Sequence, residues 1–309
     1  MTVALKIMLK SGIRRAFVLG QRIGFDLLPR HFYSEIPAID MLRRTQHWRK
    51  PFSMTGVAGA GTQEQLDFVR ATCTAPLTAR LRQLAIHDQA CRHNGEIGFG
   101  VVEADFLFCF IRSHRPSRIV QIGCGVSTAV CLLAAMEAGY RPEIVCIEPY
   151  PNRFLREAAR KGEIRLVEER AQEIDFDVCG PWAAGDLFFV DSTHTLGPAG
   201  EVTRIVLEML PLLPEGAWVH FHDIVFPYDY PRELLSSELF FGHESALLLA
   251  FLTYNPRFAI AASLSMLHYA RPEELGRLLP NYHPAGNDDG LRTTLGHFPS
   301  STYLKVVAG

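Results

Sequence analysis

The chain has 309 residues, a hydrophobic fraction of 48% and a formal net charge of −2, enough for a substantial core and without the global positive field that gathers nucleic acid. Seven cysteines, at 73, 91, 109, 124, 131, 146 and 179, are odd in number and scattered, so they read as free thiols of a reducing cytoplasm rather than a disulfide framework or a metal knuckle. No run approaches the ~20 apolar residues of a membrane span, and a soluble cytoplasmic protein without a nucleic-acid partner is expected.

The first 25 residues carry Lys6, Lys10, Arg14, Arg15 and Arg22 and no acid before Asp26. Apolar residues are interleaved among them at helical density, from Val3 to Leu19. The pattern predicts an amphipathic helix that docks on its own domain or a dimer mate, or else lies peripherally on a membrane surface. No uninterrupted apolar stretch with a small-residue cleavage site suggests a cleaved signal. Residues 29 to 61, with Pro29, Pro37, Pro51, Gly56, Gly59 and Gly61, read as loop with a short helix near Ile39 to His47. Residues 63 to 93 repeat apolar positions at helical spacing around Pro76 and predict one or two helices. We place a helical N-terminal extension at 1–94 and the main domain at 95–309.

Within that domain Val101 to Arg112 predicts a helix. The chain then alternates: strands at 118–122, 143–148, 164–168, 186–191, 216–222, 257–263 and 302–307, with helices at 127–138, 151–160, 199–210 and 232 or 243–254 between them. Such alternation predicts an α/β fold, a Rossmann-like, doubly wound and mostly parallel sheet with helices on both faces. The stretch Arg271 to Pro299 reads as a long polar loop.

The turn Gly123-Cys124-Gly125 follows the first apolar strand, and Ser127 and Thr128 suit the start of a helix. Two glycines let the backbone turn tightly and approach a ligand, the mark of a nucleotide-handling loop. A dinucleotide fold needs a third small residue where Thr128 stands, to bring a pyrophosphate onto the helix N-terminus. S-adenosylmethionine has no phosphate and no such need.

In a doubly wound sheet the ligand lies beyond the carboxyl ends of the strands. Glu148 ends the second strand, where a carboxylate accepts ribose hydroxyls, or alternatively caps the next helix. Ala171 and Gln172 follow the third strand and suit the border of an adenine. Asp191 and His194 follow the fourth; His222 and Asp223 end the fifth. These four groups converge from neighbouring strand ends, with imidazoles able to take a hydroxyl proton and a donor set able to hold a divalent cation.

From about Gly95 to Tyr303 the chain resembles a class I S-adenosylmethionine-dependent methyltransferase, and within it the bacterial sugar and small-molecule O-methyltransferases of the macrocin and mycinamicin type. The resemblance rests on Gly123 to Thr128, Glu148, Asp191-Ser192-Thr193-His194 and His222-Asp223, together with the run His31 to Pro37 ahead of the domain. It implies a seven-stranded sheet with a reversed last strand, Gly123 and Gly125 as the cofactor turn, Glu148 as ribose ligand, Ser127, Thr128, Ala171, Gln172 and Asp191 at the cofactor, and His194 as general base with His222 second. The family's first strand ends in an acid near the cofactor's amino acid end; here Gln121 stands there, with Glu103 or Asp105 as alternative suppliers. Metal-dependent members hold Mg or Mn on a pair of acids at the fifth strand, where this chain has His222-Asp223, leaving Asp191, His222 and Asp223 as the metal set. The expected activity is O-methylation of a small-molecule or glycan acceptor. Rival readings are a nicotinamide-dependent oxidoreductase, which Thr128 disfavours, and a non-catalytic cofactor-binding module.

Overall fold

The computed structural model describes residues 3–26, 28, 30, 34, 36–46, 49–231, 239–284 and 298–308. The run His31 to Pro37, a helix starting at 232, the His47 end of the short helix and residues 285–297 of the loop before Pro299 therefore fall wholly or partly outside the described residues.

Two compact units divide the chain, Met1–Arg44 and Thr45–Gly309. The first holds helices α1 (Val3–Arg22) and α2 (Ile39–Arg44). The second begins well before the expected boundary at 94/95. Its helices α3 (Thr62–Thr72), α4 (Ala75–Leu84) and α5 (Ile86–Asn94) place Leu66, Val69, Leu81, Ile86 and Ala90 in the same apolar cluster as the main sheet. Three helices stand where one or two were expected, because Pro76 sits in the first turn of α4, where a missing N–H costs nothing, rather than breaking a longer helix. Ala58 bridges to Ala259, so the segment ahead of α3 covers a sheet edge.

After α6 (Val101–His114) the alternation of the sequence is realised: β1 (Arg118–Ile122), α7 (Val126–Glu137), β2 (Glu143–Ile147), α8 (Arg153–Arg160), β3 (Arg165–Val167), β4 (Leu187–Val190), α9 (Glu201–Arg204), β5 (Trp218–Phe221), α10 (Glu244–Leu252), β6 (Phe258–Ser263), α11 (Leu264–Ala270), α12 (Pro272–Leu278) and β7 (Thr302–Val306). Helix α9 runs on as a π turn and then a 3₁₀ turn to Leu212, where Pro211 supplies no donor. Helices α11 and α12 lie where the sequence suggested only strand end and loop; no Gly or Asn punctuates the apolar run from β6 into α11, so periodicity gave no boundary.

The seven strands lie in the order β3-β2-β1-β4-β5-β7-β6. β7 runs antiparallel to both β5 and β6, and the remaining pairs are parallel, as expected for a reversed last strand. The central strands are buried along their length, which is why they read as unbroken apolar runs. Alternate residues face opposite layers. Ile119, Ile144, Leu187, Phe189 and Trp218 face one cluster with α6 and α7, whereas Val120, Val145, Phe188, Val219 and Phe221 face the other. Strand order reverses between β1 and β4, where a crevice for a ligand forms.

Candidate functional site

The reversal point brings the ends of β1 and β4 into contact. Asp191 N donates to Ile122 O at 2.9 Å. Gly123 adopts φ +77°, and a Cβ there would lie 1.9 Å from the Asp191 carbonyl oxygen. Only glycine permits this turn together with this approach.

The expected cofactor residues divide into two groups. Glu148 is half-buried beside the turn, with Oε1 accepting from Tyr150 N at 2.9 Å and Oε2 lying 3.4 Å from Cys124 N. The cap of α8 is instead Asn152, whose Oδ1 accepts from Leu155 N at 3.0 Å, so the helix-cap alternative for Glu148 falls away. Gln172 Oε1 is buried without a partner, an acceptor suited to an adenine amino group, and Ala171 is buried beside it. Orphaned acceptor, bare glycine turn and strand-end carboxylate together fit S-adenosylmethionine.

Gln121, Ser127 and Thr128 are buried and bonded to one another or to the loop itself. Gln121 shares the face of Ile119, under α7, and is wholly buried with Nε2 3.4 Å from Ser127 Oγ. Thr128 Oγ1 accepts from Gly125 N at 3.2 Å. Their polar atoms are spent on holding the loop. Asp105, an alternative supplier, is buried on α6 and accepts from Asn281 Nδ2 at 2.8 Å.

At the ends of β4 and β5 the four expected groups do meet. Asp191 Oδ1 lies 3.4 Å from His194 Nε2 and 3.2 Å from His222 Nδ1, and Asp223 Oδ2 lies 3.5 Å from the same two nitrogens. Ligand atoms of Asp191, His194 and His222 all fall within 4.8 Å of one another. The backbone is shaped for this: His194 and Asp223 both have positive φ, 58° and 55°, a conformation that costs a non-glycine residue and persists where surroundings impose it.

Two buried glutamates complete the cluster. His194 Nδ1 is 2.6 Å from Glu244 Oε2, and Ser192 Oγ donates to the other oxygen at 2.9 Å. His222 Nε2 is 2.9 Å from Glu103 Oε2, while Glu103 Oε1 accepts from Ser300 N, Ser300 Oγ and Ser301 Oγ. Each imidazole is thus gripped by a buried glutamate through one nitrogen and turns the other toward Asp191 and Asp223. Sequence reasoning considered Glu103 only as a cofactor contact and missed Glu244, which is brought in by α10 from 50 residues downstream.

Four carboxylates around two rings dominate the local charge. Burial alone pushes the His194 pKa down, but hydrogen bonds to Asp191 and Glu244 and the charges of Glu244 and Asp223 raise it to about 10. Burial likewise opposes protonation of His222, and the charges of Asp223, Glu103 and Asp191 drive its pKa well up. Burial favours the neutral Asp191 carboxyl, yet the His222 and His194 contacts hold it far below the carboxylate range. His220 is the opposite case, lowered to about 3 by burial and the His222 charge against the opposing pull of Glu103 and Asp191. The carboxylates around His194 and His222 thus favour the charged form of both imidazoles against the cost of burial.

A family model described as a methyltransferase domain matches residues 120–224, from β1 to just past Asp223. An uncharacterized protein of Archaeoglobus fulgidus is 30% identical over 170 residues, covering 50% of this chain and 73% of that protein. Among solved structures, the SAH-bound methyltransferase PaMTH1 of Podospora anserina is 17% identical with a TM-score of 0.43, over 75% of this chain and 94% of its own. The plantazolicin methyltransferase BpumL in complex with SAH is 10% identical with a TM-score of 0.39, over 79% of this chain and 95% of its own.

Proposed function

We propose that the chain, which is in one family with its Archaeoglobus fulgidus relative and matches a methyltransferase domain over residues 120–224, is an S-adenosylmethionine-dependent methyltransferase whose methyl acceptor is a hydroxyl on a sugar or secondary metabolite. The observation that carries this reading is the Asp191–His194–His222–Asp223 cluster at the mouth of the cofactor turn. Such a cluster is superfluous for an acceptor that needs no deprotonation and useful for one that does.

The cofactor supplies a methyl group on a sulfonium, already a good leaving group, which leaves alignment and proton removal to the chain. Gly123 and Gly125 allow close approach, Glu148 accepts from the ribose, and Gln172 accepts from the adenine. Asp191 and Asp223 are the more open members of the cluster, with side chains 32% and 45% exposed against 8% for His194. They face the acceptor side. His194 is the proposed general base, with Glu244 fixing its ring through Nδ1 and leaving Nε2 toward the acceptor.

The donor set of Asp191, His222 and Asp223 fits a divalent cation such as Mg or Mn. The outer nitrogen of His222 is held by the buried Glu103, as ligating histidines usually are. A cation there would supply positive charge among the carboxylates and acidify a hydroxyl beside it. Positive charge beside Asp191 and Asp223 would weaken two of the contacts that favour the protonated ring of His194, leaving those with Glu244.

The test is transfer of a labelled methyl group to a panel of glycosides, phenols and amines, with products read by mass spectrometry. Methyl ethers are the expected products. Methylamines alone would refute the hydroxyl reading, and cofactor binding without turnover on any acceptor would favour the binding-module alternative.

A further inference from the structure

Charge is divided unevenly along the chain. Residues 1–44 hold eight Lys and Arg against three acids, whereas residues 45–309 hold 23 against 30. The cations of the first segment concentrate in and near α1, which has no acid in its first turn and Arg22 in its last. At the helical period, Gly12, Ile13, Ala16, Leu19 and Gly20 share a face without charge, and the sequence continues this spacing back through Leu5, Met8 and Leu9. Arg14, Arg15, Gln21 and Arg22 lie on the other side.

Several described apolar residues of this segment lie open to solvent. Leu19, Ile23 and Phe25 are 61%, 66% and 65% exposed, and Ile13, Val18 and Leu28 are exposed as well. In the second unit, by contrast, helical apolar residues such as Leu66, Val69 and Leu81 are buried. A helix of 20 residues is about 30 Å long, yet no described helix is long and apolar enough to cross a membrane. Apolar residues beside a cluster of cations, in a helix too charged to cross a bilayer, match one kind of surface in both respects: acyl chains below and anionic headgroups above.

We propose that α1 and the turn after it anchor the protein along a bilayer bearing anionic phospholipid, with Leu19, Ile23 and Phe25 at the acyl boundary and Arg14, Arg15 and Arg22 on the phosphates. The net negative charge of residues 45–309 gives that part no such attraction. The anchor sets where the enzyme meets its acceptor, favouring acceptors presented at a membrane.

Flotation of the full-length protein with phosphatidylcholine vesicles, alone or mixed with phosphatidylglycerol, tests this at low and high salt. Binding is expected only with phosphatidylglycerol and should weaken with salt. The triple substitution R14E, R15E and R22E should reduce binding by about ten-fold or more, and Leu19→Asp should reduce it by removing an apolar contact and adding a negative charge. Binding of S-adenosylhomocysteine, unchanged in each variant, shows that the second unit is intact. Equal partition to both vesicle types, or no partition to either, overturns the proposal. A vesicle-indifferent dimer that Leu19→Asp dissociates in sedimentation analysis would assign the same residues to a second copy of the chain instead.

Discussion

His194 Nδ1 lies 2.6 Å from Glu244 Oε2, joining the loop after β4 to the first turn of α10 across 50 residues. Glu244 is fully buried, and burial pushes its carboxyl above the usual range even against the pull of the ring. The contact fixes the ring through Nδ1 and leaves Nε2 toward Asp191 and Asp223.

His194→Ala should lower kcat by about 10² to 10⁴-fold with cofactor affinity nearly intact, since a base is lost and the cofactor site kept. Glu244→Gln keeps the shape but removes the charge that orients the ring, and a smaller loss in kcat is expected. Glu244→Ala should in addition destabilise the fold by roughly 3 to 5 kcal/mol, because one partner of a buried pair is left alone. Steady-state kinetics beside thermal melts separate the two effects; equal kcat in all variants would remove His194 from the chemistry.

Glu148→Ala should weaken S-adenosylhomocysteine binding by roughly 1 to 3 kcal/mol, the cost of leaving ribose hydroxyls without their acceptor. Calorimetry measures this directly. NAD should not compete in the same titration, because Thr128 stands where a pyrophosphate loop needs a small residue.

If Asp191, His222 and Asp223 hold a cation, chelator should abolish turnover and Mg or Mn should restore it. Asp191→Ala and Asp223→Ala should then bind metal at least about ten-fold more weakly. Turnover indifferent to chelator, in protein shown by elemental analysis to be metal-free, would assign the cluster to metal-free acid–base work.

Asp105 offers a test of stability rather than activity. Burial raises its pKa to about 7 from 3.8, only partly offset by the Asn281 hydrogen bond. The folded state therefore keeps this proton between pH ~4 and ~7 while the unfolded state loses it, so this group's contribution to stability falls as pH rises through that window and is level above it. The scale is about 1.4 kcal/mol for each unit of displacement. Asp105→Asn should melt increasingly above the parent protein as pH is raised from 4 to 7; a constant difference in Tm across that range would contradict the assignment.

Much of the fold was legible from local pattern. β1, the Gly123–Gly125 turn and the strand ends at Glu148, Asp191 and His222 lie where the sequence placed them, because a buried parallel strand demands a continuous apolar run and a tight turn demands glycine, both properties of consecutive residues. Tertiary structure decided the rest. Gln121 lies near the end of β1 as expected, and its place in the two-residue period turns it under α7. Residues 45–94 join the sheet unit because Leu66, Val69 and Leu81 find their partners far along the chain. The glutamates that grip His194 and His222 arrive from α10 and α6, 50 and 119 residues away. Sequence spacing names the groups at strand ends; only the packing of helices against the sheet sets their charges, because a pKa depends on what surrounds a group in space.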